Sequence, residues 1–365
     1  MPFVNRATLP ADFYDITSSD MLWQPRPQYI YADLFKMALA ASMQEGEGGM
    51  ASPGRSPIGT SGADVPSAAS MALDISDPIF GSAIRVVPEL GNAPGHTVKI
   101  NRPVFSSTTY TEASRELGTG HIISTTPTAL DMEQAQVTLK RWGGPYAAAQ
   151  NAVAPIGIER FDTKMAVHSA ADYAKETLVD DFNHFVHAVM NTLLEGASTV
   201  VRPSNFTADA QFVSQDSARF DLETCLKVAR DMRSRNIKPF ADGKYACVLD
   251  PKQTMDLALD PLFAKYAEAH PPVNPVLSMS YWKTVDSLHL FRSNELTKDT
   301  ATVAGVTIYH GQAFGPAALG AGIGRLPTVV PSTNDNYGEH VLLCWLMYAG
   351  WSLLDNRFCV SVRTT

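Results

Sequence analysis

The chain has little cysteine, no surplus of positive charge and no long apolar run, and each shortage removes a class of function. Only four cysteines occur in 365 residues, at Cys225, Cys247, Cys344 and Cys359. None is spaced as C-x-x-C, so neither a zinc knuckle nor a dithiol redox motif is present. Cys247, Cys344 and Cys359 stand in apolar or alternating runs, where cysteine acts as a small buried hydrophobe, and we expect all four to be reduced and structural. Lys and Arg together number 29 against 37 Asp and Glu, giving a formal net charge of −8. A protein that grips nucleic acid specifically neutralises phosphates with a basic surplus, and this chain has none. The longest strongly apolar run, Val341 to Leu354, is 14 residues, where a membrane-spanning helix needs about 20. The opening MPFVNRATLPADFYD has neither the basic start nor the apolar stretch of a secretory signal, so a soluble protein made in the cytoplasm, with no membrane partner and no removed propeptide, is expected.

Catalytic signatures are also missing. Gly320-Ala-Gly322-Ile-Gly324-Arg325 resembles a dinucleotide loop only in part, because Arg325 stands where the third glycine belongs. It reads as a glycine-permitted surface loop. There is no G-x-S-x-G elbow and no G-x-x-x-x-G-K-[ST] phosphate cradle. Asp180, His184 and His187 share a helix face at i, i+4, i+7 and form the one candidate metal set, although a solvated face carries the same residues and no further ligand pair completes it. No catalytic residue, cofactor or metal is therefore expected.

What is present is a chain with enough apolar residues, 45%, to bury a substantial core. A helix is expected over Tyr29–Gln44, with Ile30, Leu34, Met37, Ala38 and Ala41 on one face. The Gly/Ser/Pro-rich stretch Gly46 to Gly62 follows, a segment that gains order only from contacts outside itself. Two strands, His96 to Val104 and Met132 to Trp142, flank a Ser/Thr-rich excursion from Phe105 to Leu130. So long a loop without its own helix makes sense if it lands on another molecule.

A long helix should run from about Thr163 to Glu195, closed by Gly196, with a stripe at Leu178, Phe182, Phe185, Val189 and Leu193. It would span about 50 Å. A second helix from Asp221 to about Arg235 should bury Leu222, Cys225, Leu226, Ala229 and Met232. Tyr245 to Leu249 reads as a buried strand running into Asp250-Pro251, an N-cap followed by proline at the first helical position, and Asp260-Pro261 repeats that punctuation. Strands are expected at Leu288–Arg292, Val303–His310, Val341–Leu354 and Phe358–Val362. Helices and strands mix without a βαβ rhythm, so the class is α+β.

The order of these parts resembles the HK97-like fold of tailed-bacteriophage major capsid proteins. Three stretches carry a closer likeness to the N4-like podovirus type: Phe240–Leu259 (FADGKYACVLDPKQTMDLAL), Val303–Gly320 (VAGVTIYHGQAFGPAALG), and Asn336-Tyr337-Gly338-Glu339 with Trp345, Gly350 and Asp355. The likeness runs from about residue 95 to the end and consists of packing and turn signatures. It implies an N-terminal arm over residues 1–94, an extended E-loop hairpin over 95–150, a P domain with a long spine helix over 151–239 and 336–365, and an A domain over 240–335.

The implied role is structural, not enzymatic. The chain would be the subunit of an icosahedral shell, joining copies of itself as hexamers and pentamers around packaged double-stranded DNA without reading its sequence. Scaffolding, portal and decoration proteins would be further partners, and the virion its location after assembly in the host cytoplasm. Arg102, Arg115, Glu116 and Arg141, in or beside the E-loop, are the candidate inter-subunit ion pairs. Some shells of this fold are welded through an E-loop lysine; Phe105 to Leu130 has none, so a non-covalent shell is expected. The alternatives at this point are an encapsulin-like protein compartment and a metal-dependent enzyme built on Asp180, His184 and His187.

Overall fold

The computed structural model describes residues 29–45, 83–87, 97–103, 132–149, 152–159, 170–197, 199–204, 206–212, 218–263, 265, 281–299, 306–332 and 340–365. The expected linker at Gly46 to Gly62 and the excursion from Phe105 to Leu130 lie outside these residues. The described elements open with α1 (Ile30–Glu45) and the short strand β1 (Ile84–Val87). A hairpin pair follows, β2 (Thr97–Pro103) and β3 (Met132–Thr138), then β4 (Lys140–Gly144), β5 (Tyr146–Ala149), β6 (Ala152–Ala154) and β7 (Ile156–Glu159). The long helix α2 (Ala170–Glu195) precedes β8 (Val200–Val201), α3 (Leu222–Ser234), β9 (Tyr245–Leu249) and α4 (Pro251–Leu259). The remainder is β10 (Tyr281–Val285), β11 (Leu288–Arg292), β12 (Lys298–Asp299), β13 (Ile308–Phe314), β14 (Leu319–Ser332), β15 (His340–Leu353) and β16 (Cys359–Thr364).

Two main sheets result. The first runs β1-β14-β15-β4, with β7 lying end to end with β4 along the same edge of β15. The second runs β10-β11-β9-β13-β16-β8, with β12 added beside β13. The second sheet is covered on both faces, which explains why β9 is apolar at every position. Ala246 and Val248 join the core built around α2, whereas Tyr245, Cys247 and Leu249 join the core built around α3.

Helix α2 holds the two sheets together. Leu178, Phe182, Val186, Met190 and Leu194 are buried in one core with Trp345 of the first sheet and Phe314 of the second. The expected stripe through Phe185, Val189 and Leu193 is only half-buried, because the helix is packed from two sides and its most buried line is rotated toward Val186, Met190 and Leu194. The described helix spans about 39 Å, and the proposed start at Thr163 lies outside the described residues. Gly196 closes it, its N–H bonding to the Thr192 carbonyl. Helix α1 packs into the same core, burying Ile30, Tyr31, Leu34 and Phe35.

Several sequence expectations need correction. Gly320 to Arg325 is no surface loop: it lies within the 14-residue strand β14, with Gly320 and Gly322 buried. The reason is crowding. A Cβ on Gly320 would meet Leu354 Cδ2 at 2.6 Å and Ile100 Cδ1 at 2.9 Å, and one on Gly350 would collide with the Thr138 carbonyl. The β2–β3 hairpin therefore crosses the first sheet where that sheet carries glycine. Of the strand expected at Val303–His310, residues 303–305 lie outside the described residues and the observed strand is Ile308–Phe314; that expected over Met132–Trp142 breaks at Leu139 into β3 and β4. On α3, Leu226 is exposed and Val228 takes its place in the core. The four cysteines are free thiols, three of them buried.

Candidate functional site

Buried polarity concentrates where α1, α2 and β13 meet. The Tyr31 hydroxyl donates to Gln312 Oε1. The Gln312 amide in turn donates to Asn191 Oδ1 at 2.6 Å and to the Asn191 carbonyl at 3.0 Å. Asn191 Nδ2 donates to Thr297 Oγ1 at 2.8 Å. His187 stacks on the Tyr31 ring at 4.9 Å between centroids, and its Nδ1 accepts the Tyr31 N–H at 3.4 Å. Burial pushes the His187 pKa down to about 4, so the ring is neutral near pH 7 and can accept that bond. Burial likewise raises the Tyr31 phenol well above its ordinary range. Tyr31, His187, Asn191 and Gln312 are buried and Thr297 is half-buried, and the bonds between them fix α1, α2 and β13 in place.

A second polar tie joins α2 to the first sheet. Trp345 Nε1 donates to Asp181 Oδ2 at 2.7 Å. Desolvation raises the Asp181 carboxyl, against the lowering effect of that indole bond. Around it, Trp345, Phe182 and Phe185 pack at ring separations of 5.3 to 5.5 Å.

The residues proposed as a metal set do not converge. Asp180 accepts from the Tyr29 hydroxyl, His184 is largely exposed with Glu295 3.7 Å away, and His187 is turned inward onto Tyr31. The described residues that could hold an ion are instead Glu195, Asp299 and His310. Here His310 Nδ1 lies 2.5 Å from Glu195 Oε1 and Nε2 lies 3.3 Å from Asp299 Oδ2. The two carboxylates approach opposite nitrogens of the His310 ring.

Of the candidate inter-subunit residues, Arg102 lies in β2 opposite Glu133 of β3, one residue before the described part of the hairpin stops. Arg141 is exposed on β4, its guanidinium 5.8 Å from the centre of the Tyr348 ring. Arg115 and Glu116 lie outside the described residues. Sequence reading missed the Tyr31–Gln312–Asn191 chain. Its only signal was polar residues placed inside otherwise apolar helical and strand patterns.

The sequence matches no protein-family model and no curated protein. Solved structures do match. The capsid of Ralstonia phage GP4 superposes with a TM-score of 0.53 at 15% identity, over 77% of this chain and 87% of that one. The fold is the HK97-like capsid fold. The capsid asymmetric unit of cyanophage Pam1 agrees at TM-score 0.51 and 14% identity, over 87% of this chain and 98% of the other. The capsid of cyanophage P-SCSP1u agrees at 0.50 and 15%, over 84% and 92%. At such low identity the HK97-like likeness resides in topology and core pattern rather than in shared side chains.

Proposed function

We propose that this chain is the major capsid protein of a tailed bacteriophage, a structural subunit that tiles an icosahedral shell as hexamers and pentamers. The observation that carries the proposal is the match of most of the chain to three separate phage capsid chains, each covered over more than four fifths of its own length. The acidic balance supports it, since a wall that does not bind its packaged DNA tightly needs no basic surplus. The polar groups described above tie elements together and do not converge on a substrate, which suits a structural role rather than an enzymatic one.

Under this reading, residues 95–150 form the E-loop that lies over a neighbour and residues 1–94 the N-terminal arm. Residues 151–239 with 336–365 form the P domain around α2, and residues 240–335 the A domain. Arg102, Arg115, Glu116 and Arg141 make ion pairs between subunits. Double-stranded DNA, scaffolding, portal and decoration proteins are the partners, the virion is the location, and assembly takes place in the host cytoplasm. Among the described residues no helix is long and apolar enough to cross a membrane. The motifs at Phe240–Leu259, Val303–Gly320 and Asn336-Tyr337-Gly338-Glu339 support a likeness to the N4-like podovirus type.

Expression of the full chain, followed by sedimentation and electron microscopy, tests the proposal. Closed icosahedral particles without a protein cargo are expected. A persistent monomer would overturn the reading, and particles filled with a protein cargo would replace it with an encapsulin-like compartment. Denaturing electrophoresis of the particles should give a single monomer band; a ladder above it would refute a non-covalent shell.

A further inference from the structure

Helix α4 and the turn after it carry an outer face of unusual composition. The exposed residues between 251 and 262 are Pro251, Met255, Ala258, Leu259, Pro261 and Leu262, none of them polar. Met255, Leu259 and Leu262 are 59%, 63% and 61% exposed. The polar residues of the same helix point the other way: Gln253, Thr254 and Asp256 are buried. Gln253 Nε2 donates to the Tyr309 carbonyl at 3.2 Å and to Thr364 Oγ1 at 2.9 Å. A helix that faces water normally has the opposite arrangement.

The three aspartates of the stretch are all engaged within the subunit. Asp250 caps the helix and pairs with Lys298 at 2.9 Å, and Asp256 pairs with Lys252 at 2.5 Å. Asp260 accepts the N–H of Leu222 and of Leu262, both at 2.9 Å. Among the described residues from 250 to 262 no carboxylate is left unpaired, Lys252 is paired with Asp256, and the next exposed cation is Lys265, one turn beyond Leu262.

We infer that this face is a contact between copies of the chain, a deepening of the shell reading on which it rests. Charge selects the occupant. Copies of a chain with net charge −8 repel one another, and they meet at least cost where neither presents a carboxylate. Nucleic acid or an anionic membrane would need a cluster of free cations here, and among the described residues the face offers only Lys265 at its edge. Area selects the mode. A few half-exposed side chains provide on the order of a few hundred Å² of apolar surface, close to the most that a soluble monomer usually leaves uncovered. That falls short of the roughly 800 Å² per partner of a stable isolated pair. It suits a contact made once per subunit around a closed ring and strengthened by the others that the subunit makes at the same time.

The test is the double substitution Leu259→Glu/Leu262→Glu in the full chain. Both side chains are exposed, so circular dichroism and the unfolding transition of the subunit should match wild type. The assembled fraction should fall by about tenfold or more, because each contact would then bury like charges against apolar surface. Leu259→Met/Leu262→Met should assemble as wild type does. Wild-type yields of particles from the double glutamate variant would overturn the inference.

A photo-crosslinking residue at position 255 gives a readout independent of variant folding. A product of twice the subunit mass is expected, and crosslinks confined to single chains would overturn the inference. A chain that crosslinks through position 255 into small rings but never closes a shell would sink the shell reading and leave this contact standing.

Discussion

Helices α3 and α4 lie on the same side of the second sheet, contribute Val228 and Leu257 to the same core, and are joined by the bond from the Leu222 N–H to Asp260. They are nevertheless built differently. Helix α3 buries Cys225, Val228, Ala229 and Met232 and turns Glu223, Arg230 and Arg233 to water. Its first turn is fixed by Asp221, whose carboxylate accepts the Thr224 N–H at 2.8 Å. Helix α4 buries Gln253, Thr254, Asp256 and Leu257 and exposes Met255, Ala258 and Leu259. It is held by a capping box between Asp250 and Gln253 and by Gln253 bonds into the sheet. Apolar burial anchors α3; hydrogen bonding anchors much of α4. The apolar residues on the outside of α4 are therefore not needed to fold it.

The largest effect expected from this contrast is at Met232, fully buried beneath α3. Met232→Ala should cost about 3 to 4 kcal/mol by lost transfer energy and the cavity left behind, read from the urea midpoint of the subunit. A cost under about 1 kcal/mol would mean that α3 is not anchored by its apolar face.

Helix α2 sharpens the comparison by combining both devices, since it buries His187 beside Leu178 and Phe182. In the folded chain His187 stays neutral down to about pH 4, whereas the unfolded chain protonates it near the ordinary pH of about 6.5. Above that pH the residue has no effect on stability. As pH falls from about 6.5 to about 4, the unfolded state binds a proton that the folded state refuses. Stability then drops by at most about 3 kcal/mol and levels off below pH 4. His187→Gln should flatten this part of the profile, measured as the difference from wild type across the window. An unchanged slope would refute the buried neutral imidazole.

The legible parts of the fold were those set by local chemistry. The Asp250-Pro251 punctuation, the Gly196 stop, the helix start at Asp221 and the alternating strand that holds Val98 and Ile100 all follow from residues near one another or from strict alternation. Strand β14 was illegible because its glycines answer to a tertiary demand, the close crossing of the β2–β3 hairpin, which leaves no trace in local pattern. The polar joint was hidden for a similar reason: Gln312 meets Asn191 across 121 positions and Tyr31 across 281. On α4 the alternation of apolar and polar residues was visible, but it does not say which side is wet. Only the sheet beneath, offering Thr364 and the Tyr309 carbonyl as partners, decides that Gln253 goes in and Leu259 stays out.

Gln253 itself gives the next prediction. It is fully buried with three bonds, to the Asp250 N–H, the Tyr309 carbonyl and Thr364. Gln253→Ala should cost about 2 kcal/mol, because the Asp250 N–H and the Tyr309 carbonyl lose their partner. The readout is the subunit unfolding transition. A neutral result would move α4 into the same class as α3.

The smallest effect is the most diagnostic. Leu259→Ser should leave the unfolding free energy of the free subunit within about 0.5 kcal/mol of wild type, as Arg230→Ala should on α3. In soluble proteins a leucine usually matters more than an arginine to folding, so equal indifference requires that Leu259 contribute almost no burial within its own chain. Its 63% exposure supplies that condition. A loss above about 1 kcal/mol at Leu259, measured below the concentration at which copies associate, would show that the residue packs into its own subunit. The contrast between α3 and α4 would then fail, because the outer face of α4 would be part of the fold and not surface left over for a neighbour.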